Sequence, residues 1–200
     1  WNVDNDSISP VTIEPATVEE VEGTVKVMGG EDWIDWIDAL CAAGVLADNA
    51  ITLAYSYIGP ELTYPVYFNG TIGMAKKHLY ESSVKINETH KDKNIRAYVS
   101  VNKALVTQAS SAIPVVPLYF AILYKVMKAK NIHEGCIEQM ARLYTEKLFN
   151  GEVLTDETGK IRLDDWELRE DVQKEVMEIW DKVTEENIRQ VADVEGYWED

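Results

Sequence analysis

The sequence predicts an α/β fold, doubly wound around a parallel sheet, and three observations predict it. Ile51–Ile58 and Ile95–Val101 are short, nearly continuous apolar runs bounded by turn residues, the pattern of strands buried on both faces. Between them, Thr71–Thr89 has helical periodicity, long enough to cross over and return the second strand parallel to the first. A breaker-rich stretch carrying Tyr55, Tyr57, Tyr64 and Tyr67 follows the first strand, where open α/β sheets bind their ligands.

The other elements follow in order. Residues 1–14 are polar, with a short Val11–Ile13 alternation that reads as loop or edge strand. Thr17-Val18-Glu19-Glu20 is a capping box behind Pro15, opening a helix that stops near Gly29-Gly30. Asp32–Ala43 is a second helix, ended by Gly44, in which Trp33 and Trp36 read as packing residues. Small and hydroxyl residues of the 103–114 stretch lead into an apolar helix from Val115 to Lys130, with Pro117 tolerated in its first turn. His133–Phe149 is a further helix. Asp156–Gly159 is a turn before Ile161-Arg162-Leu163, Arg169–Val183 is amphipathic, and a short helix starts near Thr184–Asn187. The acidic 164–200 stretch, Asp164-Asp165 included, reads as a solvated face.

Composition bounds the function. Two hundred residues with 46% hydrophobic content suffice for one domain with a core. A net charge of −16 argues against nucleic acid or an anionic membrane surface as partner. No run approaches the roughly 18 apolar residues of a membrane span, so a soluble protein is expected. Cys41 and Cys136 lie in helical patterns without a CxxC, the signature of a reduced intracellular protein with two buried thiols. His78, His90 and His133 lack ligand spacing, and no metal site is expected.

The chemical candidates are Tyr67 and Lys76. A lysine can lower a neighbouring phenol's pKa and hold a ribose hydroxyl while the phenol donates to a developing oxyanion. Nine positions at about 100° each would put the two residues on opposite faces of one helix. Tyr67 must therefore lie in the loop before the helix, which Pro65 and Asn69-Gly70 support. Lys76 then sits in the second turn and can point back. Composition alone leaves an interfacial tyrosine and a surface lysine as the alternative. Tyr55 and Tyr57 share a face by strand alternation, so one of them can be core.

The stretch AYSYIGPELTYPVY…GTIGMAK, with its Tyr-x8-Lys spacing, resembles the signature of the NADH-dependent trans-2-enoyl-CoA reductases and the long-form enoyl-ACP reductases, enlarged relatives of the Rossmann-like short-chain dehydrogenases. VKVMGGEDWIDWIDAL at 25–40, KALVTQASSAIPVVPLY at 103–119, IHEGCIEQM at 132–140 and DDWELREDVQKEV at 164–176 extend the resemblance along the chain. Met74 departs from it, standing where relatives often carry a charge, and leaves the Tyr67–Lys76 spacing intact.

The resemblance implies reduction of the C2–C3 double bond of an enoyl-CoA or enoyl-ACP with NADH, in fatty acid synthesis. It implies Tyr67 as catalytic acid, Lys76 on the nicotinamide ribose, and Tyr57 beside the thioester carbonyl. It further implies cofactor contacts from Leu105, Val106 and Thr107, and an acyl pocket walled by Ile113, Val116, Leu118 and Tyr119. The chain opens at Trp1 and holds no glycine-rich nucleotide loop. Residues 1–200 are therefore expected to be the C-terminal half of one reductase domain, incomplete for activity alone and cytoplasmic and monomeric once joined to its N-terminal half. A carbonyl-reducing dehydrogenase using the same tyrosine and lysine, and a non-catalytic binding fragment, are the alternatives.

Overall fold

A computed structural model describes residues 1–199. Its centre is a parallel sheet of β1 (Ile51–Ser56), β2 (Arg96–Val101) and β3 (Ile161–Arg162), in the order β1-β2-β3. Helix α3 (Thr71–Thr89) makes the crossover between β1 and β2, with the predicted bounds. Alternation on β2 sends Ala97 toward α3, where it packs with Ile86 and Ile95, and Tyr98 toward the opposite face.

Both faces of the sheet are covered. On the first lie α3, α1 (Val18–Met28) and α2 (Glu31–Ala42), with the Trp33 indole donating to Thr52 Oγ1 at 2.9 Å. On the second, Ile51, Leu53 and Tyr98 meet Leu143 and Leu148 from the segment after α5 (Cys136–Arg142). This is the doubly wound arrangement expected. A larger core gathers α4 (Val116–Ala129), α6 (Glu170–Trp180), α7 (Ile188–Val191) and α8 (Val194–Glu199). Trp1, Val3 and Ile8 pack against that core, and Asp6 pairs with Arg189.

Local signals placed several elements correctly. Thr17 and Glu20 form the reciprocal capping box at α1, and Pro117 occupies the first turn of α4. Elsewhere tertiary context decided differently. Among the described residues β1 is an edge strand, half-buried along most of its length with Tyr55 48% exposed, so only β2 has the two-sided burial expected of both. The helix expected over His133–Phe149 starts at Cys136 and changes at Leu143 to a π-helical segment ending at Leu148. Val11–Ile13 pairs with no strand among the described residues. Cys136 is exposed and Cys41 half-buried, rather than both buried. Trp36 is exposed instead of packing. Asp164, expected in a solvated turn, is fully buried because Arg162 neutralises it at 2.7 and 2.6 Å. Among the described residues no helix is long and apolar enough to cross a membrane.

Candidate active site

The chain leaves β1 at Ser56, and the ordinary strand alternation ends there. Tyr57 consequently does not share a face with Tyr55: Tyr55 stays toward the α5 side, while Tyr57 turns inward with Ser56. The following loop winds tightly. Tyr67 N–H donates to the Thr63 carbonyl at 2.9 Å, and the Tyr67 carbonyl accepts from Gly73 N–H at 3.1 Å, docking the loop onto the start of α3. Gly73 is required by this close approach, since a Cβ there would lie 1.7 Å from the Phe68 carbonyl oxygen.

These contacts put Tyr67 just before α3 and Lys76 in its second turn, as the spacing predicted. Both line one cavity of ≈ 610 Å³, together with Tyr57 and the C-terminal ends of β1 and β2 at Ser56, Val99 and Val101. The far wall is Asp156–Lys160 with Arg162, where Lys160 sits 3.8 Å over the Tyr80 ring and Tyr80 donates to the Thr158 carbonyl. Residues read from sequence as a plain turn therefore close the cavity.

Tyr67 is 9% exposed and its hydroxyl makes no hydrogen bond among the described residues. Burial pushes its pKa up to about 12. Lys76 is half-buried without an ion-pair partner among those residues, and burial lowers its pKa. The expected lowering of the phenol by the lysine is not what this chain exhibits. Both groups have lost water without gaining a close partner, and desolvation dominates each.

Tyr57 is bound quite differently. Its ring meets Tyr67 edge-on, with centroids 5.2 Å apart, and Phe120 at 5.9 Å. Its hydroxyl donates to Glu167 Oε1 at 2.9 Å, as does the Tyr119 hydroxyl at 2.7 Å, while Glu167 Oε2 accepts Ala104 N–H at 2.7 Å. Burial holds the Glu167 carboxyl up at about 7, and burial also pushes both phenols well above their ordinary range. Sequence reasoning missed Glu167 inside the acidic 164–200 stretch. The available signal was its setting, with Leu163, Trp166 and Leu168 apolar around it.

The remaining predicted site residues do not line this cavity. Val106 N–H donates to the Tyr124 hydroxyl at 3.1 Å, and Thr107 shares three hydrogen bonds with Ser110 at 2.8, 3.0 and 3.0 Å. Leu105 is half-buried in the same loop and Thr107 is exposed. Ile113 packs against the main core, of which Val116, Leu118 and Tyr119 are buried members. Of these, only Tyr119 reaches the site, through Glu167.

Residues 1–149 match the family model described as the trans-2-enoyl-CoA reductase catalytic region. The chain belongs to the trans-2-enoyl-CoA reductase family. It is 60% identical over 97% of its length to an enoyl-[acyl-carrier-protein] reductase [NADH] of Cytophaga hutchinsonii, covering 49% of that protein. It is 56% identical over 98% of its length to a trans-2-enoyl-CoA reductase of Euglena gracilis, covering 36% of that one. Among solved structures, the Treponema denticola trans-2-enoyl-CoA reductase in complex with NAD superposes with a TM-score of 0.94 at 52% identity, over all of this chain and 50% of its own. The chain thus spans about half the length of most of the relatives it matches.

Residues 155–200 of this reductase-family chain match a model described as an enoyl reductase FAD binding domain. The described part of that segment does not fit a flavin dinucleotide site. It is built into the same α/β unit, with β3 paired to β2 and Glu167 to Tyr57. Its arginines, Arg162, Arg169 and Arg189, are each paired with a carboxylate rather than converging on a common anion site. No step below passes through a flavin.

Proposed function

We propose that this chain is the C-terminal, substrate-side half of a reductase domain that uses NADH to reduce the C2–C3 double bond of a trans-2-enoyl thioester, carried by coenzyme A or acyl carrier protein. One observation carries the reading: the Tyr67 hydroxyl and the Lys76 ammonium, neither with a partner among the described residues, line a single cavity at the carboxyl ends of two parallel strands. The proposal extends to a cytoplasmic protein, monomeric when both halves are present.

A bound nicotinamide would supply hydride to C3, and the resulting enolate must take up one proton to give the saturated thioester. The chemistry left to the protein is to stabilise the enolate oxygen and provide that proton. A donor fixed before the reaction stabilises that oxygen without reorganising. Tyr67 suits the task because burial keeps its proton in place throughout the neutral range. Lys76 lies one to two turns along α3 and would hold a ribose hydroxyl of the bound cofactor. Ser56, Val99 and Val101 line the cavity at the strand ends, and Asp156, Glu157, Thr158, Lys160 and Arg162 form a polar wall.

The test is NADH oxidation with crotonyl-CoA, in a protein of the relatives' length that carries this chain, beside its Tyr67→Phe form. Turnover that collapses in Tyr67→Phe and yields butyryl-CoA supports the reading. Product retaining the double bond with a reduced carbonyl would move the protein to the carbonyl-reducing class. No turnover from a folded form that binds NADH would remove the reductase reading.

A further inference from the structure

The Glu167 carboxylate has three hydrogen-bond donors and is fully buried. Tyr57, one of those donors, also lines the cavity and touches the Tyr67 ring. A phenol carries one proton. While the Tyr57 proton points at Glu167, it is not available to an enolate oxygen.

The surrounding partners decide where a proton on Glu167 would go. Oε2 has only the Ala104 N–H beside it, a group that cannot accept a proton, whereas Oε1 lies against the Tyr57 and Tyr119 hydroxyl oxygens. The proton therefore sits on Oε1. The Tyr119 oxygen already accepts from Gln173 Nε2 at 3.1 Å, and the same Nε2 donates to the Glu167 main-chain carbonyl at 2.7 Å, which fixes the amide orientation. Tyr119 accordingly keeps donating to Oε1, and the Tyr57 oxygen is the acceptor left for the Oε1 proton. Receiving it, Tyr57 no longer gives its own proton to Glu167, and that proton is free to turn to another acceptor.

We propose that Glu167 is a positioning residue for this reaction: its protonation aims the Tyr57 hydroxyl at the substrate oxygen, and its ionisation withdraws it. The proposal rests on the reductase reading above. The groups that face Glu167 are Tyr57 after β1, Tyr119 and, through it, Gln173 from α4 and α6, Ala104 N–H after β2, and Asp164 from its own segment, itself paired with Arg162. Burial of Glu167 brings its titration close to neutral, while Tyr57 and Tyr119 stay protonated there.

The experiment compares kcat against pH for the protein of the relatives' length as wild type, Glu167→Gln, Tyr57→Phe and the double variant. In Glu167→Gln the new side-chain amide would turn its carbonyl to Ala104 N–H and its NH₂ toward Tyr57 at every pH, so that the Tyr57 proton has no acceptor there and nothing at this position titrates. Wild-type kcat should fall about 100- to 1,000-fold to a lower plateau as pH rises through neutral, the cost of redirecting one donor. Glu167→Gln should abolish that limb, and adding it to Tyr57→Phe should change nothing more. Uniform weakening of Glu167→Gln with the limb intact would overturn the proposal.

A second measurement needs neither turnover nor a folded variant. In wild type labelled with 13C at tyrosine Cζ, the Tyr57 resonance should titrate near neutral pH. A flat Tyr57 resonance overturns the inference. A titrating Tyr57 in a protein inert to every enoyl thioester keeps the aiming of the hydroxyl and removes only the reductase reading.

Discussion

Tyr57 and Tyr67 meet edge to face, with ring centroids 5.2 Å apart and planes at 77°. The contact joins the end of β1 to the loop before α3, and pairs of this geometry contribute about 0.5–1.5 kcal/mol beyond area burial. The two hydroxyls stand in opposite conditions. Glu167 holds that of Tyr57, while that of Tyr67 makes no hydrogen bond among the described residues.

Tyr67→Phe should therefore separate function from folding. Loss of the acid should lower kcat/KM about 10²- to 10⁴-fold. The urea midpoint should hold or rise slightly, because the deleted hydroxyl had no partner among the described residues. Steady-state turnover and equilibrium unfolding measured on the same samples check both parts, and undiminished turnover removes Tyr67 as the acid.

Lys76→Met should weaken NADH binding by about tenfold or more, the worth of a hydrogen bond to a charged group. Its stability effect has a definite sign. Burial lowers the folded-state pKa below 10.5, so between the lowered value and 10.5 the unfolded chain binds the proton that the folded chain has released. Stability rises with pH through that window, and the penalty of the buried ammonium is fully present below it. Lys76→Met should raise the urea midpoint at neutral pH, and the gain should shrink toward pH 10.5.

Two glycines make a matched pair of tests. Gly73→Ala would press a Cβ into the Phe68 carbonyl and displace the Tyr67 loop, so turnover should fall to the level of Tyr67→Phe. Gly23 lies within α1 with nothing within 4 Å of its missing Cβ. Gly23→Ala should add up to about 1 kcal/mol of stability through helix propensity and leave turnover unchanged. Thermal unfolding and turnover of the two variants decide it.

Glu167 should make stability fall as pH rises through the acid-to-neutral range. Its folded-state pKa is raised from 4.5 to about 7, so between these values the folded chain binds a proton the unfolded chain has lost. The contribution is fully present below 4.5 and is gone above about 7, a change on the order of 3 kcal/mol. Urea unfolding at about pH 5 and about pH 8 should show wild type losing ground to Glu167→Gln over that interval. An unchanged difference between the two proteins would mean the carboxyl titrates normally.

The parts of the site that were legible in the sequence are local. Pro65, Asn69-Gly70 and the periodicity from Thr71 placed Tyr67 outside the helix and Lys76 inside it, and the bounds of α3 followed from the same signals. The capping box at Thr17 and the proline in the first turn of α4 were equally local. By contrast, β3 is two residues long and has no periodicity to detect. The edge position of β1 depends on which strands lie beside it, which its own apolar run does not record.

Burial of charge was the least legible property. Asp164 and Glu167 belong to a stretch whose composition describes a solvated face, and both are fully buried. Their partners are the charged Arg162 for Asp164 and three neutral donors for Glu167, from Ala104, Tyr119 and Tyr57, the last 110 positions away from it in the chain. The sequence by itself determined the crossover unit, the loop that carries Tyr67 and the spacing to Lys76, because turn chemistry and helical period act between near neighbours. Only the tertiary structure decided that Glu167 holds Tyr57 and that the 156–162 turn closes the cavity. A carboxylate leaves water only where several distant donors converge on it, and that convergence is a property of the packed chain.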